Sequence, residues 1–240
     1  MRSNLIRSAK SGCRSKVNIV AHADLAIVMM PTSAIEGADQ FRSNGGPMVV
    51  SWKGFHFRPM KLGDLPLMHR WVNTPHVREW WDALPTLDAV VTKYAPRILG
   101  REPTHSFVVD AGSRPIGYIQ SYRIADYPDY ARHLGSDDRA AGVDLFVGEV
   151  EFLGQGSGSA ILREFLRRVV FADEWRTECL IGPEIENHRA IRCYQKVGFS
   201  YWKTIQIPGE PAPEYVMRIT RREFEVTSKI SRSIQNLRMT

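Results

Sequence analysis

A glycine-rich turn followed at once by an amphipathic helix constrains this chain more than any other stretch. Residues 154–159 read Gly-Gln-Gly-Ser-Gly-Ser, and residues 160–171 repeat apolar side chains at i, i+4 and i+8 in two rows. Glycine lets a backbone approach a ligand closely, and a helix N-terminus offers free N–H groups and a positive dipole end. The stretch predicts a phosphate-binding turn before a buried helix or, alternatively, a plain glycine-rich connection.

The charge distribution argues against a nucleic-acid-binding protein. The net charge is +6, but residues 1–47 and 221–240 each contribute +3, so that residues 48–220 are balanced. A nucleic-acid-binding domain is expected to carry a basic face on its folded part. We therefore predict no nucleic-acid partner.

Cysteine and histidine spacing predicts neither a disulfide framework nor a metal site. The three cysteines form no C-x-x-C pair, and the seven histidines form no H-x-x-x-H pair. The short apolar run at residues 25–30 is far below the roughly 20 residues of a membrane span. These patterns favour a cytoplasmic protein without a metal or a membrane partner.

The composition divides the chain into three parts. Residues 1–47 mix Ser, Lys, Arg and Gly and end in a linker-like Ser-Asn-Gly-Gly-Pro, which predicts a flexible or non-native N-terminal extension. Residues 48–226 form one orderly domain, and residues 227–240 a basic C-terminal tail.

The order of elements within the domain predicts its fold class. Alternating apolar residues predict a strand at 52–60, and further strands are expected at 106–110, 115–124, 143–147, 178–181, 199–207 and 214–219. Capping residues and periodicity predict helices at 64–72, 76–81, 86–99, 160–171 and 187–197. Residues 126–139 are expected to form a long polar loop, and 222–226 a last helical turn. Helices and strands without strict alternation indicate an α+β (mixed α/β) fold.

Two motifs in this order resemble a known superfamily. Residues 187–199, N-x-x-A-x-x-x-Y-x-K-x-G-F, resemble the C-terminal signature of the GCN5-related N-acetyltransferases (GNAT), and the glycine turn is similar to their pyrophosphate loop. Glu79-Trp80-Trp81, residues 115–122 and Gly142-Val143-Asp144 resemble the aminoglycoside 6'-N-acetyltransferases. The resemblance covers residues 55–225. It implies the GNAT fold, a central mixed and largely antiparallel sheet flanked by helices, with acetyl-CoA as cosubstrate.

The resemblance assigns the cosubstrate and the catalytic proton donor. It implies that the glycine turn holds the pyrophosphate and that the backbone at the end of the preceding strand pairs with the pantetheine arm. Tyr194 is expected to protonate the leaving thiolate, although an aromatic there can equally pack the helix on the sheet. Asn187 is expected to bind pantetheine or to cap its helix. The predicted coenzyme-binding residues are Phe146, Val147, Gly154, Gln155, Gly156, Ser157, Gly158, Ser159, Asn187, Ala190 and Tyr194.

Asp144 is the candidate catalytic base. A carboxylate within the apolar strand 143–147 is costly unless it has a partner. The resemblance implies that it accepts the proton from the ammonium to be acetylated. The alternative is an edge aspartate that faces solvent.

A polycationic acceptor is expected to meet carboxylates and aromatic faces. By resemblance the predicted substrate-binding residues are Trp80, Trp81, Glu102, Gln120, Tyr122, Asp129, Asp144 and Glu184, although the tryptophans could instead be core anchors. The sequence departs from the pattern of the aminoglycoside acetyltransferases at two places. Gly182 replaces an expected acid, with Glu184 and Glu186 as possible substitutes, and the acid-bearing loop after Trp81 is shortened.

The expected function is acetylation of the 6'-amine of aminoglycosides, which confers resistance, by a monomer or homodimer. Two alternatives remain at this point. One is an N-acyltransferase acting on a lysine-type amine of a siderophore pathway, and the other is a non-catalytic domain that binds coenzyme A.

Overall fold

A seven-stranded sheet in the order β1-β2-β3-β4-β5-β7-β6 forms the centre of the protein. The computed structural model describes residues 54–208 and 213–237, with side chains described as far as residue 229. Every neighbouring pair is antiparallel except β4 and β5, which run parallel. This confirms the predicted mixed, largely antiparallel sheet. Its strands are β1 Phe55–Pro59, β2 Thr104–Ala111, β3 Arg114–Arg123, β4 Ala140–Val147, β5 Glu178–Ile181, β6 Ser200–Ile205 and β7 Glu214–Thr220.

Helices cover both faces of this sheet, as the α+β prediction requires. On one face, α5, α6 and α7 bury Phe165, Val197 and Phe224 against the sheet. On the other face, α1 to α3 form one apolar cluster with Tyr118, and α4 forms a second with Tyr122. The helices are α1 Leu65–Val72, α2 Pro75–Arg78, α3 Leu87–Ile98, α4 Pro128–Leu134, α5 Ser157–Phe165, α6 His188–Val197 and α7 Arg221–Leu237.

The sheet opens between its two parallel strands. β4 pairs with β5 only from Ala140↔Glu178 to Gly142↔Leu180. β4 nevertheless continues to Val147 and stays paired with β3 as far as Gly117↔Val147. The last five residues of β4 therefore have the backbone of one side turned to a gap. The glycine turn begins at Gly154, after a short connection that includes the 3-10 turn Val150–Phe152.

Three elements differ from the sequence-based expectation. The expected loop 126–139 contains α4, whose buried Tyr130 and Leu134 lie one turn apart and whose end at Gly135 has the left-handed φ of 56°. One apolar pair in a seven-residue helix is too weak a pattern to separate a helix from a polar loop. The helix after the glycine turn begins three residues early, at Ser157, and ends in a π-helical turn at Leu166–Val170.

The C-terminal helix is longer than the single turn expected at residues 222–226. α7 continues without a break to Leu237 and so crosses the predicted domain limit at residue 226. The extension 1–47 lies outside the described residues, and the strand predicted from residue 52 is described from Phe55. No helix in the described part is long and apolar enough to cross a membrane.

Candidate active site

A cavity of about 480 Å³ lies where the open end of β4 meets the glycine turn and α6. Its walls come from four stretches that are distant in sequence: the segment of α2 and the paired tryptophans, the end of β4, the glycine turn with the start of α5, and α6. It gathers ten of the eleven residues predicted to bind the coenzyme. They are Phe146, Val147, Gly154, Gly156, Ser157, Gly158, Ser159, Asn187, Ala190 and Tyr194.

The glycine turn needs glycine for two separate reasons. Gly154 and Gly156 have φ values of +79° and +82°, in the left-handed region that other residues rarely adopt. A Cβ added at Gly158 would lie 3.0 Å from Cys193 Sγ, so this glycine lets α5 approach α6. Gln155 is the predicted residue that does not line the cavity, because its side-chain amide donates to the carbonyl of Glu151 at 2.6 Å.

Helix α6 presents a buried phenol and a side-chain cap. Asn187 Oδ1 accepts from the N–H of Ala190 at 3.0 Å, which is the capping alternative of the sequence analysis. Tyr194 is 6% exposed and packs near Phe199, with ring centroids 6.3 Å apart. Burial raises the pKa of the Tyr194 phenol above its ordinary value, and the nearby Cys193 and Asp144 add to this. The phenol is thus kept protonated, as a proton donor requires.

Sequence reasoning missed a set of basic side chains on the same helix. Four of them line the cavity beside the glycine turn, where they can neutralise an anion. The sequence did contain a pattern that indicates these residues, because α6 is strongly amphipathic and its polar face is basic. These residues are His188, Arg189, Arg192 and Lys196.

His76 is a further missed residue. Its Nε2 lies 3.0 Å from the carbonyl oxygen of Val147, at the last residue of β4. Nothing in the local sequence around His76 links it to a strand 71 residues away. This contact fixes the end of β4 at the mouth of the gap.

Asp144 lies on β4 opposite Gln120 of β3, with the amide of Gln120 turned towards it. Gln120 Nε2 donates to Asp144 Oδ2 at 2.8 Å, and Gln120 Oε1 accepts from Arg97 Nη1 at 2.9 Å. A guanidinium has donors alone, so the oxygen of Gln120 must face Arg97 and its nitrogen must face Asp144. The half-buried carboxylate therefore has a partner, and the alternative of a solvent-facing aspartate is not what the structure shows.

The same arginine engages a carboxylate that was expected to bind the substrate. Arg97 is 9% exposed at its side chain and its Nε lies 3.0 Å from Glu102 Oε2. The burial of a cation requires such a counter-charge. Glu102 is therefore neutralised within the protein and linked to Asp144 through Arg97 and Gln120.

The other predicted substrate-binding residues differ in whether they line the cavity. Trp80 lines the cavity and is half-buried. Trp81 also lines it but is 7% exposed, donates to the hydroxyl of Tyr94 at 2.9 Å and packs on Phe146, so it is a core anchor. Asp129 has a 90% exposed side chain at the start of α4, pairs with Arg132 and does not line the cavity.

At Gly182, where the resemblance predicts an acid, the space for a side chain is occupied by a residue of another strand. A Cβ at Gly182 would lie 1.6 Å from Oε1 of Glu214, which is the first residue of β7. The side chain of Tyr130 donates to the same oxygen at 2.9 Å. Glu184, one of the expected substitutes, forms a backbone bridge with Glu214, and Glu186 lines the cavity. The predicted Tyr122 lies nearby, with its buried ring against Gly142.

The part of the chain that the structure describes contains no group of three or more metal-ligating side chains.

Comparisons with known proteins agree on one family. A family model of the acetyltransferase (GNAT) domain matches residues 61–207. The aminoglycoside N(6')-acetyltransferase type 1 of Klebsiella pneumoniae is 33% identical over 177 residues, which cover 72% of this chain and 87% of that protein.

Solved structures give the same result in three dimensions. A crystal structure of an aminoglycoside acetyltransferase with coenzyme A superposes with a TM-score of 0.67 at 33% identity, over 73% of this chain and 99% of that one. A crystal structure of an aminoglycoside acetyltransferase with coenzyme A and kanamycin superposes with a TM-score of 0.66 at 32% identity, over 73% of this chain and 99% of that one.

Proposed function

Because the chain belongs to the GNAT acetyltransferase family, we propose that it transfers the acetyl group of acetyl-CoA to the 6'-amine of aminoglycoside antibiotics and so confers resistance. One observation carries the proposal. The cavity joins an anion-binding turn, the open side of β4 and the buried phenol of Tyr194, while Asp144 lies on the same β4. Acetyl transfer from a thioester to an amine needs these parts together.

The residues divide the proton transfers between them. Asp144 accepts a proton from the substrate ammonium, which frees the lone pair of the nitrogen for attack on the thioester carbon. The C–S bond then breaks, and the departing thiolate takes a proton from the hydroxyl of Tyr194. Once the C–N bond has formed, the nitrogen carries one proton in excess and releases it to solvent, which leaves the neutral amide. Asp144 then loses its proton to solvent and the Tyr194 phenolate regains one, so that the overall reaction releases one proton. The raised pKa of Tyr194 keeps its proton in place until sulfur develops negative charge.

The coenzyme side of the cavity supports acetyl-CoA as the donor. The N–H groups of the glycine turn and the basic face of α6 suit a pyrophosphate. Beyond Gly142 the backbone of β4 is not paired with β5, and it suits the amide groups of pantetheine, which can pair with it as an added strand.

The acceptor is a small polycation, and we propose a cytoplasmic enzyme that acts as a monomer or homodimer without nucleic acid or a membrane. Cys179 and Cys193 are both free thiols, which supports a reducing compartment. The balanced charge of residues 48–220 supports the absence of a nucleic-acid partner.

A thiol-release assay with a matched pair of drugs tests the proposal. Ribostamycin carries an amine at its 6' position and paromomycin a hydroxyl. We expect thiol release from acetyl-CoA with ribostamycin and none with paromomycin, which should instead inhibit the reaction competitively. A lysine-type amine serves as the second comparison. Absence of release with every aminoglycoside, or release with the lysine-type amine alone, would contradict the proposal.

A further inference from the structure

Asp144 ends a row of three polar side chains that lies across three neighbouring strands. The register places Ser106 of β2 opposite Gln120 of β3, and Gln120 opposite Asp144 of β4. Directly paired residues turn their side chains to the same face of a sheet. Here it is the face that α1 to α3 cover, since Tyr118, two residues before Gln120, belongs to their apolar cluster. Ser106 and Gln120 are buried and Asp144 is half-buried, so the row leads from the interior to Asp144.

The hydrogen bonds within this row run in one direction, towards the carboxylate. The hydroxyl of Tyr118 donates to Gln120 Oε1 at 2.7 Å and has no proton left, which makes Ser106 the donor in its 2.7 Å contact with Tyr118. Arg97 Nη1 donates to the same Gln120 oxygen at 2.9 Å, and Gln120 Nε2 donates to Asp144 Oδ2 at 2.8 Å. A reversed amide would turn its NH2 group to two donors and its oxygen to a carboxylate, which leaves buried polar groups unpaired. The row therefore presents a donor to Asp144.

Arg97 fixes this direction because it is a buried donor whose charge does not change in the physiological pH range. Its side chain is 9% exposed and lies over the ring of Tyr94, with Cζ 5.3 Å from the ring centre. Its Nε donates to Glu102 Oε2 at 3.0 Å, while its Nη1 donates to Gln120. Bonds from two nitrogens of one planar group set both its position and its plane. Arg97 thus reaches Asp144 through one amide, without lining the coenzyme cavity.

We propose that Arg97 is a positioning residue of the reaction, which acts through Gln120 to hold the carboxylate of Asp144 in place for the substrate proton. The inference rests on the proposed function, in which Asp144 is the base. The proton passes from the ammonium nitrogen to Asp144 Oδ1, since Oδ2 accepts from Gln120. Gln120, expected by resemblance to bind the substrate, acts on it only through Asp144, because both ends of its amide are engaged within the protein.

The first test compares Arg97→Lys with the wild-type protein. The lysine keeps the buried charge opposite Glu102 but lacks the planar fork that reaches Gln120 at the same time. We expect kcat for kanamycin to fall about 10²-fold, as for a small misplacement of a catalytic group, with the KM values for kanamycin and acetyl-CoA unchanged. Arg222→Lys, the same exchange at an exposed arginine of α7 on the other face of the sheet, should leave all constants unchanged.

The second test is a double-variant cycle between Gln120 and Asp144. Gln120→Leu keeps the approximate size of the side chain and removes the donor to Asp144. We expect it to lower kcat by about 10²-fold in the wild-type protein. In Asp144→Asn it should lower kcat by about twofold at most, because no base remains to be positioned. A residue that only supports the fold predicts the same factor in both backgrounds.

The outcomes separate this inference from the proposed function. Turnover of kanamycin by the wild-type protein with an unchanged kcat in Arg97→Lys overturns the inference alone, as does an equal loss from Gln120→Leu in both backgrounds. A raised KM for kanamycin at an unchanged kcat would make Gln120 a substrate-binding residue and overturns it as well. If the wild-type protein neither acetylates nor binds any aminoglycoside in a calorimetric titration, the proposed function and the inference fail together.

Discussion

Asp144 is held by a chain of donors that begins at a buried cation. Arg97 donates to Gln120, which donates to Asp144, and the hydroxyl of Tyr118 also donates to Gln120 Oε1 at 2.7 Å. Two donors on one amide oxygen leave the amide a single orientation. The carboxylate is thereby fixed with one oxygen engaged, and its other lone pairs are available to a substrate proton.

Replacement of Asp144 by Asn tests its role as a base. The amide keeps the shape of the side chain and can still accept from Gln120, but it cannot take a proton. We expect kcat to fall by about 10²- to 10⁴-fold, while the dissociation constant of acetyl-CoA, measured by calorimetry, stays the same because Asp144 does not line the coenzyme cavity. Asp88→Asn, an exposed aspartate on α3, is the control. A fully active Asp144→Asn enzyme would mean that another group is the base.

At the residue scale, motifs predicted the lining of the cavity better than the side chains of the proposed acceptor side. The glycine turn and α6 are each a contiguous motif, so the residues within each motif are brought together locally. Arg97 and Glu214 act on residues 23 or more positions away, Gln120 and Tyr130, and no local pattern announces such pairs. Each pair joins a helix to a strand, so its position depends on how the helices pack on the sheet, which sequence periodicity does not fix.

Among the elements, the turn into α5 combines a conformational and a binding requirement. Gly156 has left-handed φ and directly precedes the first residue of the helix, Ser157. The first residues of the helix, Ser157 to Ser159, line the cavity together with Gly156. In the proposed function, the turn would thus position the coenzyme as well as the helix.

A pair of glycine variants separates these two requirements. Gly156→Ala and Gly112→Ala both force alanine into left-handed φ, +82° and +64°, and neither added Cβ meets another atom within 4 Å. Each should lower the free energy of unfolding by about 1 kcal/mol in urea titrations. Gly156→Ala alone should also weaken coenzyme A binding, by roughly tenfold, because it shifts the N–H groups that meet the pyrophosphate. Equal coenzyme affinity of both variants would show that the turn does not contact the ligand.

Predictability at the element scale follows the strength of the local pattern. All seven strands were predicted, and the alternation is plainest in β1, which has Phe55 and Phe57 on one face. The helix α4 was missed since its seven residues bury only Tyr130 and Leu134. The π-helical end of α5 could not be foreseen, because it keeps the same apolar face as an α-helix would.

For the whole molecule, the buried tyrosines link stability to alkaline pH. Burial is the main cause that raises the pKa of six phenols above the ordinary value of 10: Tyr94, Tyr118, Tyr122, Tyr127, Tyr130 and Tyr194. The unfolded chain releases these protons near pH 10 while the folded protein retains them. The stability from these groups is thus fully present below pH 10 and is lost as the pH rises beyond it.

The expected result is a sharp alkaline unfolding transition. Above pH 10, each of these phenols should lower the free energy of unfolding by at most about 1.4 kcal/mol per pH unit. Tyrosinate absorbance of the six buried rings and the loss of circular dichroism should then rise together. If these phenols ionised gradually in a protein that kept its native dichroism, their burial would not resist ionisation as described.

The gap between β4 and β5 places an unpaired strand edge in the middle of the sheet. Such an edge is a template for association with other chains unless it is covered. A coenzyme that pairs with β4 covers it, and binding to the folded chain alone adds about 2.7 kcal/mol of stability at a free concentration 100 times its dissociation constant. The acetyl donor is then also a folding partner. A cell that runs short of it would lose resistance twice, through slower acetylation and through an enzyme left prone to aggregation and proteolysis.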